Sequence, residues 1–375
     1  MQQLSNIKVI LSGGGTGGHI FPAVAIANAI KAAIPDVEIM FVGAKGRMEM
    51  EKVPAAGYPI KGLWISGLQR RLTLDNLSFP IKMIYSFLKA GSIIRQFKPD
   101  VAIGTGGYAS WPTLSAAASR GIPTFIQEQN SFPGITNKKL AKKAHLIFVA
   151  YEGMEKYFQE SKIRLVGNPI RQDIAMNKIT RNNACEFFGL DPAKKTVLII
   201  GGSLGALTIN QSIRESLQLF AENGLQVLWQ TGKSYSGLAA DAILADSDAR
   251  QVTMPFIARM DMAYAAADLV VSRAGAIAIS EICAVGKPCI LVPSPNVAED
   301  HQTKNAMALA GKNAALMVAD KDAIHELGAK VIELADDENL QNMLRENILK
   351  MAYQDAASTI ASEVIAIIGK TKNTK

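Results

Sequence analysis

Three times in this chain a short apolar, β-rich run ends abruptly in a cluster of glycines. Residues 7–11 lead into Gly13-Gly14-Gly15-Thr16-Gly17-Gly18-His19. Residues 101–103 lead into Gly104-Thr105-Gly106-Gly107-Tyr108, and 196–200 into Gly201-Gly202-Ser203-Leu204-Gly205-Ala206. A strand that turns tightly on glycine into a helical pattern is the opening unit of a parallel sheet covered by helices. The rest of the chain repeats the alternation. Further strands are predicted over 38–42, 124–127 and 146–149 in the first half, and over 226–229, 269–271 and 289–292 in the second. Two such sets in 375 residues predict an α/β protein of two Rossmann-like domains facing a central cleft. Gly167-Asn168-Pro169 interrupts the pattern, so the domains are expected at 1–165 and 166–344. The last helical stretch, about 345–370, is expected to pack back on the first domain.

Glycine turns at strand ends let a phosphate approach backbone N–H groups while a helix N-terminus supplies partial positive charge. Gly13, Gly15 and Gly18 satisfy G-x-G-x-x-G, and the following helix is expected to begin near Pro22. A dinucleotide site also needs an acidic residue at the tip of the second strand, and here 38–42 ends in Gly43-Ala44-Lys45, which disfavours a dehydrogenase. No G-K-[S/T] follows, so this is no Walker loop. Three turns of this kind imply two phosphate-bearing ligands. His19 sits in the first turn, where a neutral imidazole can take a proton from an attacking hydroxyl, a charged one can bind phosphate, and either can cap the helix.

Two other clusters lie at predicted strand ends. Glu128-Gln129-Asn130 offers a carboxylate and amides to sugar hydroxyls, or caps a helix. Glu281, in the helix after Ser272-Arg273-Ala274-Gly275, can accept from both hydroxyls of a ribose, or is an exposed helix glutamate. Glu299-Asp300-His301-Gln302 places acids beside a histidine, but adjacent residues rarely share one ion, so no metal site is expected.

Charge is unevenly distributed. Residues 1–165 hold 20 Lys/Arg against 10 Asp/Glu, and the remainder 20 against 23. A basic first half calls for an anionic partner or is a solvated surface. Over 77–97, Ile81, Ile84, Tyr85 and Leu88 share one helical face, flanked by Phe79, Met83 and Phe87. The only charges there are Lys82, Lys89 and Arg95, with Arg70-Arg71 just before and Lys138, Lys139, Lys142 and Lys143 as a second cluster. Apolar surface framed by cations rests on an anionic bilayer, or the helix is core with ordinary lysines. The charge-free stretches 9–30 and 101–119 carry glycine clusters and a central proline, so neither reads as a membrane span, and the start shows no signal peptide. The basic residues are not interleaved with stacking aromatics, so no nucleic acid partner is expected. Cys185, Cys283 and Cys289 form no C-x-x-C pair and read as small buried thiols in a reducing cytoplasm.

Taken in order, 13–19, 104–108, 128–130, 167–171, 201–206, 272–276 with Ser280-Glu281, and His301-Gln302 with Asn305-Ala306 closely resemble the MurG family of peptidoglycan glycosyltransferases over essentially the whole chain. The resemblance implies the GT-B glycosyltransferase fold and an inverting transfer of N-acetylglucosamine from UDP-N-acetylglucosamine to the 4-hydroxyl of lipid I. Lipid II, needed for cell wall, cell shape and division, would be the product, made with no cofactor and no metal at the cytoplasmic face of the inner membrane. It implies that Thr16, Gly17, Gly18, Asn130, Arg171, Ser203, Ile257 and Gln302 contact the UDP-sugar and that Glu281 holds its ribose. It implies that Gly201, Gly202, Leu204, Gly205 and Ala206 bind the donor phosphates. Gly14, Gly15, Gly104, Thr105, Gly106, Gly107 and Tyr108 would face the acceptor pyrophosphate. His19 is the candidate base, with Glu128 a second catalytic candidate. Some members carry a histidine before the Glu-Gln-Asn run where this chain has Gln127, which moves attention to His19. The rival readings are a UDP-N-acetylglucosamine 2-epimerase and a non-catalytic nucleotide-sugar binder.

Overall fold

The structure, a computed structural model, describes residues 6–66, 79–175, 178–202, 205–243, 248–297 and 300–373. The chain forms two units, Met1–Arg171 with Asp355–Lys375, and Gln172–Gln354.

The first unit is built on a seven-stranded parallel sheet of β1 (Lys8–Gly13), β2 (Glu38–Ala44), β3 (Ile60–Leu63), β4 (Val101–Gly106), β5 (Thr124–Glu128), β6 (Leu146–Val149) and β7 (Ile163–Leu165), in the order β3-β2-β1-β4-β5-β6-β7. Strand order reverses at β1, between β2 and β4, and crevices at such switch points receive ligands. β1 and β4 run in register from Val9↔Val101 to Ser12↔Gly104, then slip so that Gly13 lies opposite Gly106. Side chains alternate across the sheet. Val9, Leu11, Phe41, Ile103, Phe125 and Phe148 pack with the helix Gly17–Ala33 and the C-terminal helix Ala356–Asn373. Ile10, Val42, Ala102, Ile126 and Ile147 pack on the other face with the helices Phe79–Phe97 and Ser110–Ala118. Full burial of such a side chain stabilises by about 1.5–3 kcal/mol, so a sheet covered on both faces is strongly specified.

The second unit has a six-stranded parallel sheet of β8 (Thr196–Ile200), β9 (Gln226–Gln230), β10 (Gln251–Met254), β11 (Leu269–Ser272), β12 (Cys289–Leu291) and β13 (Leu316–Met317), in the order β10-β9-β8-β11-β12-β13. Val197, Ile199, Val227 and Trp229 pack against the helices Leu207–Glu222 and Ala323–Asp336. Leu198, Leu228 and Val270 face the helices Arg181–Phe188, Met260–Ala266 and Ala276–Val285.

The units divide after Arg171, at the Gly167-Asn168-Pro169 interruption. Two expectations need correction. The helical stretch expected over 345–370 is two helices: Glu338–Leu349 lies within the second unit, and only Ala356–Asn373 packs on the first. The first long helix begins at Gly17, not near Pro22, and carries Pro22 inside it. The amides of Gly17 and Gly18 thereby fall in the first turn, where backbone N–H groups have no partner within the helix.

Candidate functional site

In the first unit three strand ends meet at one corner. Thr105 Oγ1, at the end of β4, donates to the His19 carbonyl at 2.7 Å. Ser110 Oγ lies 2.7 Å from both the Ser12 and the Gly106 carbonyls, so its one hydrogen is shared between them. The two glycine turns pack so closely that a Cβ on Gly107, which has φ +87°, would stand 2.3 Å from the Gly14 carbonyl oxygen. Gln129, after β5, closes the corner. Its Nε2 donates to the carbonyl of Thr105 at 2.7 Å and to that of Gln127 at 3.1 Å, and its Oε1 lies 3.0 Å from His19 Nδ1. Gln127, where some relatives have histidine, is buried and donates to Asn168 Oδ1 at 2.9 Å.

Glu128 sits differently from its expected catalytic place. It is 1% exposed, and both oxygens are engaged by its own turn. Oε1 accepts from the backbone N–H and the side-chain amide of Asn130, at 3.1 and 3.2 Å. Oε2 accepts from the Gly134 N–H at 3.1 Å and Asn137 Nδ2 at 2.8 Å. A carboxylate so saturated braces the 128–137 turn and presents no free lone pair to a reacting hydroxyl.

A second buried carboxylate was not foreseen. Glu49 Oε2 accepts the Gly15 N–H and Oε1 the Ala44 N–H, each at 2.9 Å. The first glycine turn therefore already holds an anion of the chain's own, and the Gly15 amide is not free for an acceptor pyrophosphate. The strand tip Gly43-Ala44-Lys45 lacks an acid, as expected, but one arrives five residues beyond Ala44 and turns inward rather than toward a ribose.

The second unit contains a cavity of about 460 Å³ at the carboxyl edge of its sheet. It is walled by Gly201, Gly202, Gly205 and Ala206, the helix start Leu207-Thr208, the Ser272–Gly275 corner, and Gln302. The candidate donor loop and Gln302 are thus brought together; Ser203 and Leu204 lie outside the described residues. Gln302 Oε1 accepts the Ser294 N–H at 2.9 Å. Among the described residues two charged ones line the cavity, Arg273 and Asp320, and they pair with one another. Arg273 Nη1 also donates to the Val292 carbonyl at 3.1 Å, and Asp320 Oδ2 accepts from Thr208 Oγ1 at 3.1 Å. Asp320 was missed, since nothing near it in sequence marks a site. Arg273 lies within the Ser272-Arg273-Ala274-Gly275 run, whose sequence alone does not show which way its guanidinium turns.

Glu281 is 8% exposed and accepts from Tyr264 Oη at 3.2 Å; it does not line the cavity, whereas Ala278 of the same helix does. Ile257 is buried and its N–H donates to Gln230 Oε1 at 3.0 Å. Thr16, Gly17, Gly18, Asn130 and Arg171 belong to the first unit, as do Gly104 and the exposed Tyr108. Among the described residues no group of three His, Cys, Asp or Glu could hold a metal.

The helix Phe79–Phe97 buries Ala90, Ile93 and Ile94 and leaves Ile81, Ile84 and Leu88 more than 60% exposed, with Tyr85 beside them. Trp64, also exposed, meets Tyr85 edge-on at 6.1 Å and lies under Lys82 at 5.6 Å. Lys139 stands 4.1 Å above Trp111, which meets Phe87 edge-on. Residues 67–78, including Arg70 and Arg71, are outside the described residues. Among the described residues no helix is long and apolar enough to cross a membrane.

Comparison with known proteins adds a family. Residues 9–149 match the glycosyltransferase family 28 N-terminal domain, and residues 196–360 its C-terminal domain. A Cytophaga hutchinsonii protein named UDP-N-acetylglucosamine--N-acetylmuramyl-(pentapeptide) pyrophosphoryl-undecaprenol N-acetylglucosamine transferase is 58% identical over 369 residues, covering 98% of this chain and 99% of that one. A Phocaeicola vulgatus protein of the same name is 55% identical, covering 97% of each chain. The crystal structure of Acinetobacter baumannii MurG superposes with a TM-score of 0.77 at 26% identity, over 96% of this chain and 99% of that one.

Proposed function

The chain belongs to glycosyltransferase family 28, and from that membership we propose that it transfers N-acetylglucosamine, with inversion, from UDP-N-acetylglucosamine to the 4-hydroxyl of the N-acetylmuramoyl-pentapeptide of lipid I, forming lipid II for peptidoglycan. The observation that carries this reading is the glycine-walled cavity at the end of β8, in a chain 58% identical along its length to a transferase of that name.

The chemistry follows from the groups present. The acceptor oxygen forms a bond to the anomeric carbon while the bond from that carbon to the UDP β-phosphate oxygen breaks, through a transition state with oxocarbenium character. The hydroxyl proton passes to His19, a partly buried imidazole in the corner where the turns after β1, β4 and β5 meet. UDP departs with the electron pair. The growing charge on its phosphate is met by the amides of the 201–206 turn, the N-terminus of the helix Leu207–Glu222 and Arg273. Those fixed dipoles and one guanidinium supply what a divalent ion supplies in other sugar-nucleotide enzymes. Asn130, Arg171, Ile257, Glu281 and Gln302 are assigned to the donor, with Glu281 on its ribose. The turn 104–108 is assigned to the acceptor pyrophosphate.

The exposed Ile81, Ile84, Tyr85 and Leu88 face, with Lys82 and Lys89, is assigned to an anionic bilayer at the cytoplasmic face of the cell membrane, where a lipid-linked acceptor would be met. A 2-epimerase, which needs no lipid acceptor, has no use for such a face, and a non-catalytic binder would lose nothing when His19 is replaced.

The test is a transfer assay with labelled UDP-N-acetylglucosamine and a lipid I analogue. Label is expected in the lipid product with chelator present, and Glu281→Ala is expected to lower kcat/KM by roughly 10²-fold, about 3 kcal/mol for two charge-assisted hydrogen bonds. Donor binding without transfer, with a 2-epimer among the products, would overturn the assignment.

A further inference from the structure

We infer that Gln129 is a positioning residue that sets the tautomer of His19: it holds the proton on Nδ1 and leaves Nε2 bare to accept one. A neutral imidazole carries one proton on two nitrogens, and a nitrogen that faces a fixed acceptor holds it while the other is left bare. The partner here is an amide, which can present either its oxygen or its NH₂ group, so the orientation of Gln129 has to be established first.

The surroundings establish it. Gln129 is 1% exposed. One end of its amide faces the backbone carbonyls of Thr105 and Gln127, at 2.7 and 3.1 Å, and also the side-chain oxygen of Gln127. Backbone carbonyls only accept, so the group that faces them is the NH₂. Reversing the amide would set its oxygen against the Thr105 and Gln127 carbonyls in a buried site and withdraw a donor from each, with Asn137 Nδ2 still reaching the Gln127 carbonyl at 3.3 Å. The carbonyl oxygen Oε1 is therefore the end that faces His19 Nδ1 at 3.0 Å. An oxygen without a hydrogen accepts, so Nδ1 donates and carries the proton. The ring lies over Gly106, where a Cβ would stand 2.8 Å from its Cε1 and Nδ1, and the His19 main chain is tied to the same turn by Thr105 Oγ1, which donates to its carbonyl.

The chain of cause thus runs from two main-chain carbonyls through one amide to one lone pair. It also gives the Glu-Gln-Asn run two separate duties: Glu128 braces its turn and Gln129 orients the base. The tautomer stands on geometry alone, while its catalytic meaning rests on His19 being the base as proposed above.

The experiment reads the tautomer directly, from the nitrogen-15 shifts and long-range couplings of the ring in full-length, histidine-labelled protein at alkaline pH, where imidazole is neutral. The chain has four histidines, so His19→Asn assigns the signal. Wild type is expected to show protonated Nδ1 and unprotonated Nε2. Gln129→Met keeps the side-chain length and removes both the oxygen and the NH₂; it is expected to shift the population toward protonated Nε2 and to lower kcat on the order of 10²-fold, with the KM for UDP-N-acetylglucosamine unchanged. Protonated Nε2 in the wild type, or an unchanged tautomer in a folded Gln129→Met protein, overturns the inference. Should Gln129→Met fail to fold, the wild-type spectrum decides by itself. The Nδ1–H form in wild type together with full activity of His19→Asn would uphold the tautomer and overturn the assignment of the base.

Discussion

Replacing Glu49 with alanine isolates the role of an anion built into the first glycine turn. Glu49 is fully buried, and its two oxygens accept the N–H groups of Gly15 and Ala44. Alanine removes both acceptors. Ala44 is 2% exposed, so its amide loses its partner where water has little access, at about 1–3 kcal/mol. Gly15 is exposed, so water takes over its amide and the loss there is about 0.5–1.5 kcal/mol. The sum is roughly 2–4 kcal/mol in the first unit, before any contribution from the space vacated beneath Gly14, whose missing Cβ would lie 2.1 Å from the carboxylate. Glutamine preserves volume but must turn its NH₂ toward one of the two N–H groups, so Glu49→Gln is expected to lose about 1–3 kcal/mol rather than to rescue. Hydrogen exchange resolved to peptides is the assay, since a two-unit chain need not unfold in a single step. Exchange over 13–18 and 43–45 is expected to accelerate and the acceptor KM to rise. Unchanged exchange at both segments in Glu49→Ala would refute the view that this carboxylate holds the turn.

Three further outcomes follow from the same geometry. Asp320→Asn removes the charge opposing Arg273 in the donor cavity while the Val292 carbonyl still holds the guanidinium; UDP should bind roughly five- to tenfold tighter by calorimetry, about 1 kcal/mol, and weaker binding would mean that Asp320 acts by placing Arg273 instead. Cys185, Cys283 and Cys289 are all buried, and burial pushes the Cys283 thiol up to about 12 and raises the other two; at pH 8 a thiol reagent should label none of them in the folded chain and all three in denaturant, and fast labelling of the native protein would contradict the packing. Ile84→Asp with Leu88→Asp alters two side chains that are 64% and 71% exposed; sedimentation with phosphatidylglycerol vesicles should fall by at least tenfold with UDP affinity and thermal stability unaltered, whereas unaltered sedimentation would remove this face from the membrane.

The strands legible in the sequence and those that were not divide along a physical line. All nine predicted strands exist, and each lies inside a sheet with neighbours on both sides. Interior strands of a parallel sheet are buried on both faces and read as unbroken apolar runs. The four unpredicted strands, β3, β7, β10 and β13, are the four sheet edges. β3 carries Lys61 and β7 carries Arg164 on exposed positions, and β13 is two residues long, so none stands out from a loop.

The sequence by itself determined the doubly repeated α/β plan, the glycine turns at the ends of β1, β4 and β8, and the family, because strand periodicity and turn chemistry are local. Only the tertiary structure decided what individual side chains do at those turns. Gln129 reaches His19 across 110 positions, Glu49 reaches Gly15 across 34, and Arg273 reaches Asp320 across 47. A hydrogen bond between distant residues leaves no periodic trace in a chain. Glu128 makes the opposite case, since its partners lie within ten residues and the turn they form looks alike whether its carboxylate is free or saturated. Burial and bond direction separate those two states, and both exist only once the chain has folded.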